Sequence, residues 1–465
     1  GDVHDIGKNI VSVVARCNGY EVLDLGVMVP CSEIIEKSKE FKPDIIGLSG
    51  LITPSLEEMI SNVKEFDKNN LKVPVLIGGA TTSKAHTSIK IAPEYKKEVV
   101  VHVADASLVV GVCRDLLNKE ASKEYKKDLV KQQKDYAKKY KKDKDIKFVS
   151  MNEARDKKYV PDFSLINNKT DDFSLNVWSF NLKEIIDYFD WSPFFWVWGL
   201  KGVYPRIFKN NKYGEQAESL FNDAQIMLKT MLGENIVKPK GVTQVWNAIS
   251  IDESIEIYDK NFLNKLETFY FLRQQVKKET TGEHYYSLSD FISPEKTHKD
   301  VLGAFVVSSG YEIDEYAETF NKKGDEYRSI LIKALADRIA EGCAEYLHKK
   351  IREKNGDDSN LSIDELIKEK YKGSRPAHGY PSCPDHSEKL KVWNLLKVEE
   401  NINVSLTENF AINPPSSICG LYFFHPESKY FNLGKINQEQ FSLYCENKTY
   451  SRDKLKSLLQ SNLVE

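Results

Sequence analysis

Apolar positions in the first 120 residues follow two alternating patterns. IGKNIVSVVARCNG is apolar on one helical face and stops at Asn18-Gly19, a pair expected just past a helix end. YEVLDLG then predicts a short strand, and CSEIIEKSKEF a helix with Ser32 as its N-cap. DIIGLSG predicts a buried strand, PSLEEMISNVKEFDKN a helix with Ser55 near its start, and VPVLIGG and VVVHVA two further buried strands. SLVVGVCRDLLN closes the series as a helix. Strands rich in Val, Ile and Leu that alternate with helices predict a doubly wound, flavodoxin-like α/β domain, a parallel sheet with helices on both faces. The series opens on a helix, whereas such a sheet opens on a strand. The expectation is that the first strand is missing from this chain, and that GDVHD is the loop after it. That loop would lie at the carboxyl edge of the sheet, where folds of this kind bind ligands.

From Lys119 to Lys147 the pattern dissolves into a Lys-rich run with interleaved acids, read as a solvated helix or linker. Residues 148–172 continue as a mostly polar connection. Beyond Phe173, long helical patterns (AESLFNDAQIMLKTML and RSILIKALADRIAEGCAEYLHKKIREK) mix with strand-like stretches (KGVTQVWNAISIDESIEIY, DVLGAFVVSSG and SSICGLYFFHPESKYFNLGKI). Without regular alternation this predicts an α+β domain. The expected organisation is a first domain over 1–120, a linker over 121–172 and a second domain over 173–465.

Composition narrows the picture. A chain of 465 residues accommodates two or more domains, and a net charge of −3 exerts no global pull toward nucleic acid or anionic membrane. Neither is expected as a partner. The longest aromatic run, Phe194 to Leu200, is far short of the roughly 20 apolar residues of a membrane span. The seven cysteines are odd in number and lack paired spacing, so they read as reduced thiols of a cytoplasmic protein. Cys383 and His386 form one C-x-x-H pair with no second pair to complete a zinc site. A loop residue and a structural histidine is the favoured reading.

Two constellations carry candidate chemistry. The first is D-x-H-x-x-G at Asp2, His4 and Gly7, followed by Ser49-x-Leu51 and by Gly78-Gly79. All three are predicted at strand ends on one edge of the sheet. A lone loop histidine is usually structural and a lone Gly-Gly usually a turn, but together and in this order they resemble the cobalamin-binding domain. GDVHDIGKNIV, DLGVMVP, IGLSGLITPSLEEM and LIGGATTSKAHT extend the resemblance to the cobalamin-dependent methionine synthase family. The resemblance implies that His4 is the lower axial ligand of the cobalamin cobalt. Asp2 would hydrogen-bond its other ring nitrogen, and Ser55 would hydrogen-bond Asp2. Gly78 and Gly79 would leave room for the displaced nucleotide tail, with Ser49, Thr53 and Ala106 lining that pocket. Gly1, Val3, Asp5, Gly7 and Leu51 complete the implied cobalamin-binding set. A histidine tied to a carboxylate can gain or lose a proton as a metal changes charge, which suits a cobalt that cycles between oxidation states.

The second constellation is the Pro- and Gly-rich loop RPAHGYPSCPDHSEK, Arg375 to Lys389, with DWSPFF upstream from Asp190 and HPESKYF downstream from His425. Taken singly, the aromatics read as core and Arg375 as a surface ion-pair partner. Together the three stretches resemble the S-adenosylmethionine-binding activation domain of the same family, over essentially all of 173–465. On that resemblance Asp190 takes the ligand's ammonium and Arg375 clamps its carboxylate, a pairing that can be bidentate and charge-assisted. Tyr430 packs or bonds near the ligand, and Glu341 and Tyr380 are further candidates. Phe431 stands where the family pattern has a second tyrosine. If that hydroxyl contacts the ligand, affinity is reduced.

The family moves a methyl group from methyltetrahydrofolate to homocysteine through cobalamin. It repairs the oxidised cob(II) form with one electron and a methyl group from S-adenosylmethionine. The resemblance therefore implies methylcobalamin and S-adenosylmethionine as cofactors, with zinc expected only in an upstream homocysteine module. A flavodoxin or diflavin reductase is the implied electron donor. The chain is expected to carry the repair site, to lack methionine-forming turnover by itself, and to bind cobalamin weakly without its first strand. A mutase, a non-catalytic corrinoid carrier or a cobalamin-sensing module would share Asp2, His4 and Gly7 but has no use for the Arg375 loop. A plain flavodoxin-like domain would keep His4 as a structural residue.

Overall fold

The computed structural model of the chain describes residues 2–118, 120–142, 146–166, 170, 172–280, 282–355 and 360–464. Three strands, β1 (Ile46–Ser49), β2 (Val75–Gly78) and β3 (Val100–His102), pair in parallel in the order β1-β2-β3, with Ile46 opposite Val75 and Leu76 opposite Val101. Strand side chains alternate between faces, and two cores follow from that alternation. Val75 and Ile77 pack with Met59, Val63 and Phe66 of helix α3 (Pro54–Lys68) and with Ile34 and Ile35 of helix α2 (Cys31–Phe41). Leu76 packs on the other side with Val109, Cys113 and Leu116, joined by Val11 and Val14 of helix α1 (Ile6–Cys17). Helices therefore cover both faces, and α1 ends at Asn18-Gly19 as its pattern predicts.

Two local expectations fail. YEVLDLG forms no strand. A strand exists by its ladder, and no strand lies beside residues 20–25 among the described residues; the next stretch is instead tied to the N-terminal loop by Met28 N–H donating to Asp2 O at 3.1 Å. Ser32 is not an N-cap: the cap position belongs to Pro30, whose extended backbone (φ −63°, ψ 146°) leads directly into α2 and places Ser32 inside the first turn.

The Lys-rich run is a helix, Ser122–Lys142. Tyr125 and Leu129 pack onto the first domain, and Gln133 Nε2 donates to Val100 O at 2.7 Å, so one face is docked and the other solvated. The following segment joins the second domain: Val149 N–H donates to Gln275 O at 3.0 Å, and Arg155 makes a forked pair with Glu253.

The second domain is built on a six-stranded sheet. Strands β5 (Lys240–Ile251), β6 (Ser254–Tyr258), β7 (Lys265–Tyr270) and β8 (Val301–Ser308) pair antiparallel, with β8 also flanked by β11 (Ser417–Phe423) and β5 by β4 (Asn176–Ser179). The two-residue strands β9 (Ser405–Leu406) and β10 (Ile412–Asn413) form a separate ribbon. Every residue of β8 is buried, as a central strand covered on both faces requires. One face carries the 29-residue helix Glu326–Lys354 and the helix Gly214–Gly233; the other packs Trp246, Phe291 and Trp393. The sequence pattern gave no warning of β4, β7 or the short helices Gln438–Glu446 and Arg452–Leu458, which close a smaller core around Phe441 and Leu459.

Candidate functional site

Asp2, His4 and Ser55 meet at the carboxyl edge of the parallel sheet. His4 Nδ1 lies 2.7 Å from Asp2 Oδ1. Asp2 Oδ2 accepts from Ser55 Oγ at 2.7 Å, from Leu51 N–H at 2.6 Å and from Ile52 N–H at 3.3 Å. The loop after β1 and the first turn of α3 supply these donors, so strand end and helix start converge on one carboxylate. Burial works against the Asp2 charge, but the hydrogen bonds from His4, Leu51 and Ser55 outweigh it and hold the carboxyl well below the usual carboxylate range. With Nδ1 tied to an anion, His4 Nε2 has no hydrogen-bond partner among the described residues. That donor set fits a metal ligand: the carboxylate fixes the ring and raises the basicity of the outward nitrogen.

The neighbouring residues divide by role. Val3 is buried and Gly7 sits exposed in the first turn of α1. Ser49 ends β1 with its side chain exposed, Thr53 immediately precedes α3, and Ala106 opens a single turn capped by Asp105. Gly79 holds φ at +108°, and a Cβ there would lie 2.0 Å from Gly50 O. Its lack of a side chain is thus a condition for two loops of the sheet edge to touch. Gly78 has no such constraint. Gly1 lies outside the described residues.

The long helix of the second domain passes directly under this loop. Lys333 Nζ donates to Asp5 Oδ2 at 2.5 Å, and Arg16 of α1 pairs with Glu326. Asp314 lies beside the Lys333–Asp5 pair, and its burial pushes its pKa up to about 6. One turn past Lys333, Asp337 accepts from Ser416 Oγ at 2.8 Å. Of these residues the sequence reading singled out Asp5 alone; Lys333, Glu326, Asp314 and Asp337 on the second domain were missed.

The same helix organises the second constellation. Asp190 caps the helix Trp191–Val197, its Oδ1 accepting from Ser192 N–H at 2.9 Å, while Arg338 Nη1 reaches the Asp190 carbonyl at 3.5 Å. Gly342 lets the helix approach this segment: a Cβ would sit 2.8 Å from Ile185 Cγ2 and 3.1 Å from Phe189 Cδ1. Arg375 Nη2 donates to Glu345 and, at 3.3 Å, to Glu341. Its backbone N–H donates to Tyr430 Oη at 2.9 Å, and that hydroxyl meets Tyr371 Oη at 3.3 Å. Asp190 and Arg375 are thus joined through the helix rather than in direct contact. Tyr380 is largely exposed, and Phe431 packs on Tyr286 with ring centroids 5.8 Å apart. Glu345 escaped the sequence reading, although its spacing four residues after Glu341 marks the same helix face.

The C-x-x-H pair has a local role. Cys383 Sγ donates to Ala377 O at 3.0 Å, His386 Nδ1 lies 2.9 Å from Lys389 Nζ, and the His386 ring fills the space a Cβ of Gly379 would need. Among the described residues no helix is long and apolar enough to cross a membrane.

A parallel α/β domain presents a histidine backed by a carboxylate and a hydroxyl at its sheet edge, and an α+β domain follows it with a helix packed under that loop. Such an arrangement defines a corrinoid-binding protein with an attached accessory domain. Residues 181–449 match the family described as vitamin B12 dependent methionine synthase, activation domain, and residues 1–96 match the B12 binding domain. The crystal structure of the MetH reactivation domain bound to AdoHcy is 38% identical, covering 68% of this chain and 99% of that one, with a TM-score of 0.66. A cobalamin-binding protein from Desulfitobacterium hafniense DCB-2 is 34% identical over 24% of this chain and 53% of its own, with a TM-score of 0.22. The methanol:cobalamin methyltransferase complex MtaBC from Methanosarcina barkeri is 27% identical over 28% of this chain and 47% of its own, with a TM-score of 0.25; these last two likenesses are too partial to bear on the fold. The chain belongs to the vitamin B12 dependent methionine synthase activation-domain family, and couples that domain to a B12-binding domain.

Proposed function

We propose that this chain holds cobalamin through His4 and restores its methyl form with S-adenosylmethionine. Cobalamin, when bound, supplies a cobalt that can carry and release a methyl group. The chain's own residues supply the control. Asp2, fixed by Ser55 and the Leu51 N–H, keeps the His4 ring oriented and can share its proton as the charge opposite Nε2 changes. Arg375 offers a guanidinium to a carboxylate, and Asp190 offers an anion to an ammonium, the two termini of an amino-acid ligand. The neighbour solved with AdoHcy supports the same ligand class here. The proposed partners are a flavodoxin or diflavin reductase as electron donor, and the homocysteine and folate modules of a cytoplasmic methionine synthase.

The observation that carries this reading is the Asp2–His4–Ser55 relay with its outward nitrogen free. The test is the visible spectrum of the full chain loaded with methylcobalamin. Histidine ligation gives a spectrum that His4→Gly converts to the base-off form, and Ser55→Ala shifts the pH at which the wild-type spectrum converts. A spectrum indifferent to His4→Gly overturns axial ligation. Cobalamin binding without any binding of S-adenosylmethionine would make the chain a corrinoid carrier.

A further inference from the structure

The helix Glu326–Lys354 turns a polar stripe toward the loop that carries Arg375. Glu341, Glu345, His348 and Arg352 recur at i, i+4, i+7 and i+11, which places them along one face. An inward stripe of a helix is ordinarily apolar, yet Glu345, His348 and Arg352 are all more than nine-tenths buried. His348 is held between Tyr371 and Tyr422, with ring centroids 4.4 and 5.2 Å away.

The two carboxylates at Arg375 differ. The Glu345 side chain is 8% exposed and lies closest to Arg375 Nη2; Glu341 is 34% exposed and stands at 3.3 Å. Glu345 cannot withdraw, because it sits mid-helix among fully buried Cys343, Ala344 and Leu347, and a carboxylate stranded there loses both water and its counter-ion. Glu341 can withdraw, because its head already reaches solvent. Glu345 Oε2 and Arg375 Nη1 have no hydrogen-bond partner among the described residues, so the guanidinium keeps donors to give.

We propose that Glu345 is the positioning residue for Arg375 and that Glu341 is its exchangeable partner. Glu345 fixes the guanidinium before the ligand arrives. The carboxylate of the ligand's amino-acid arm then takes the place of Glu341, and Glu341 joins Asp190 at the ligand's ammonium. Arg375 faces two anions before and after, so the exchange leaves no buried charge unpaired. The inference rests on reading this loop as the S-adenosylmethionine site.

The test compares two probes on the full chain by calorimetry: S-adenosylhomocysteine, and 5′-methylthioadenosine, which lacks both the ammonium and the carboxylate. Glu345→Gln is expected to weaken S-adenosylhomocysteine about tenfold or more and 5′-methylthioadenosine by less than about twofold. Glu345→Asp, which returns the charge one methylene further away, is expected to recover part of the loss while keeping the same preference; it serves alone should Glu345→Gln not fold. Equal weakening of both probes, or unchanged binding of both, overturns the proposal. Failure of the unaltered chain to bind either probe overturns the functional reading itself, and is distinguishable because it precedes any substitution.

Discussion

The Asp2 loop and the Arg375 loop hold a charged side chain in opposite ways. At Asp2 the carboxylate, the imidazole and the supporting donors form a closed set, with both carboxylate oxygens hydrogen-bonded and the histidine only two residues away. At Arg375 the charge is held by carboxylates 30 and 34 residues earlier in the chain, projecting from a rigid helix into a buried space where several polar atoms lack partners. The first site is closed within one edge of its own sheet, with its donors drawn from the loop after β1 and the first turn of α3. The second depends on a long helix docking correctly, so the placement of Arg375 and the folding stability of the domain share the same residues.

Stability measurements should separate the two, and the largest effect is expected at Arg375. Arg375→Met strands Glu345 in the interior and should lower the unfolding free energy of the second domain by about 3–5 kcal/mol. Asp2→Ala, at the partly exposed loop, should cost the first domain about 1–2 kcal/mol. All six tryptophans lie between residues 178 and 393, so tryptophan fluorescence in denaturant follows the second domain alone, while hydrogen exchange in β1–β3 follows the first. Equal costs at the two sites would erase the contrast.

Acid should weaken the second domain next. His378 is fully buried against Phe269 and Phe271, and burial pulls its pKa down to about 4, with nearby Lys448 and Lys389 adding to the shift against Glu388 and Asp385. Below about pH 6.5 the unfolded chain takes up a proton that the folded domain refuses. Stability is therefore lost as pH falls from about 6.5 toward 4, by up to about 3 kcal/mol from this residue. His378→Phe should make that limb of the second domain's stability–pH curve shallower, leaving the share of buried His348 and His386, which burial also holds low; an unchanged slope would show that other groups set it.

Within the first domain, Gly79→Ala should cost about 2 kcal/mol, because it forces a side chain into a left-handed backbone and against Gly50. Gly7→Ala, with open space around it and helical backbone, should be neutral or stabilising by up to about 1 kcal/mol. The smallest effect is expected where the two regions meet. Lys333→Met should raise hydrogen exchange in α1 by less than about fivefold, and the difference should shrink with salt, as for other weak ion pairs between partly exposed groups.

The contrast also explains what was legible in the sequence. Asp2 and His4 are two residues apart and Gly79 ends a strand, so strand-end logic brings them to one edge without knowledge of packing. The doubly wound pattern was readable because β2 and β3 are nearly continuous apolar runs. Glu345 was not readable: helical periodicity assigns it a face but not what that face meets, and its partner lies beyond the helix end. YEVLDLG carries a strand's composition, but composition cannot supply a neighbouring backbone. Strand β7 misled in the opposite sense, since KLETFY is exposed at its start and becomes a strand only by pairing with β6.

The helix Glu326–Lys354 spans both loops. At about 1.5 Å per residue, Lys333 and Glu345 are about 18 Å apart along one stiff rod. The first touches the loop of His4 and the second grips Arg375. The two loops are therefore graduations on a common ruler: sliding or tilting it shifts the contact at Asp5 and the grip on Arg375 together.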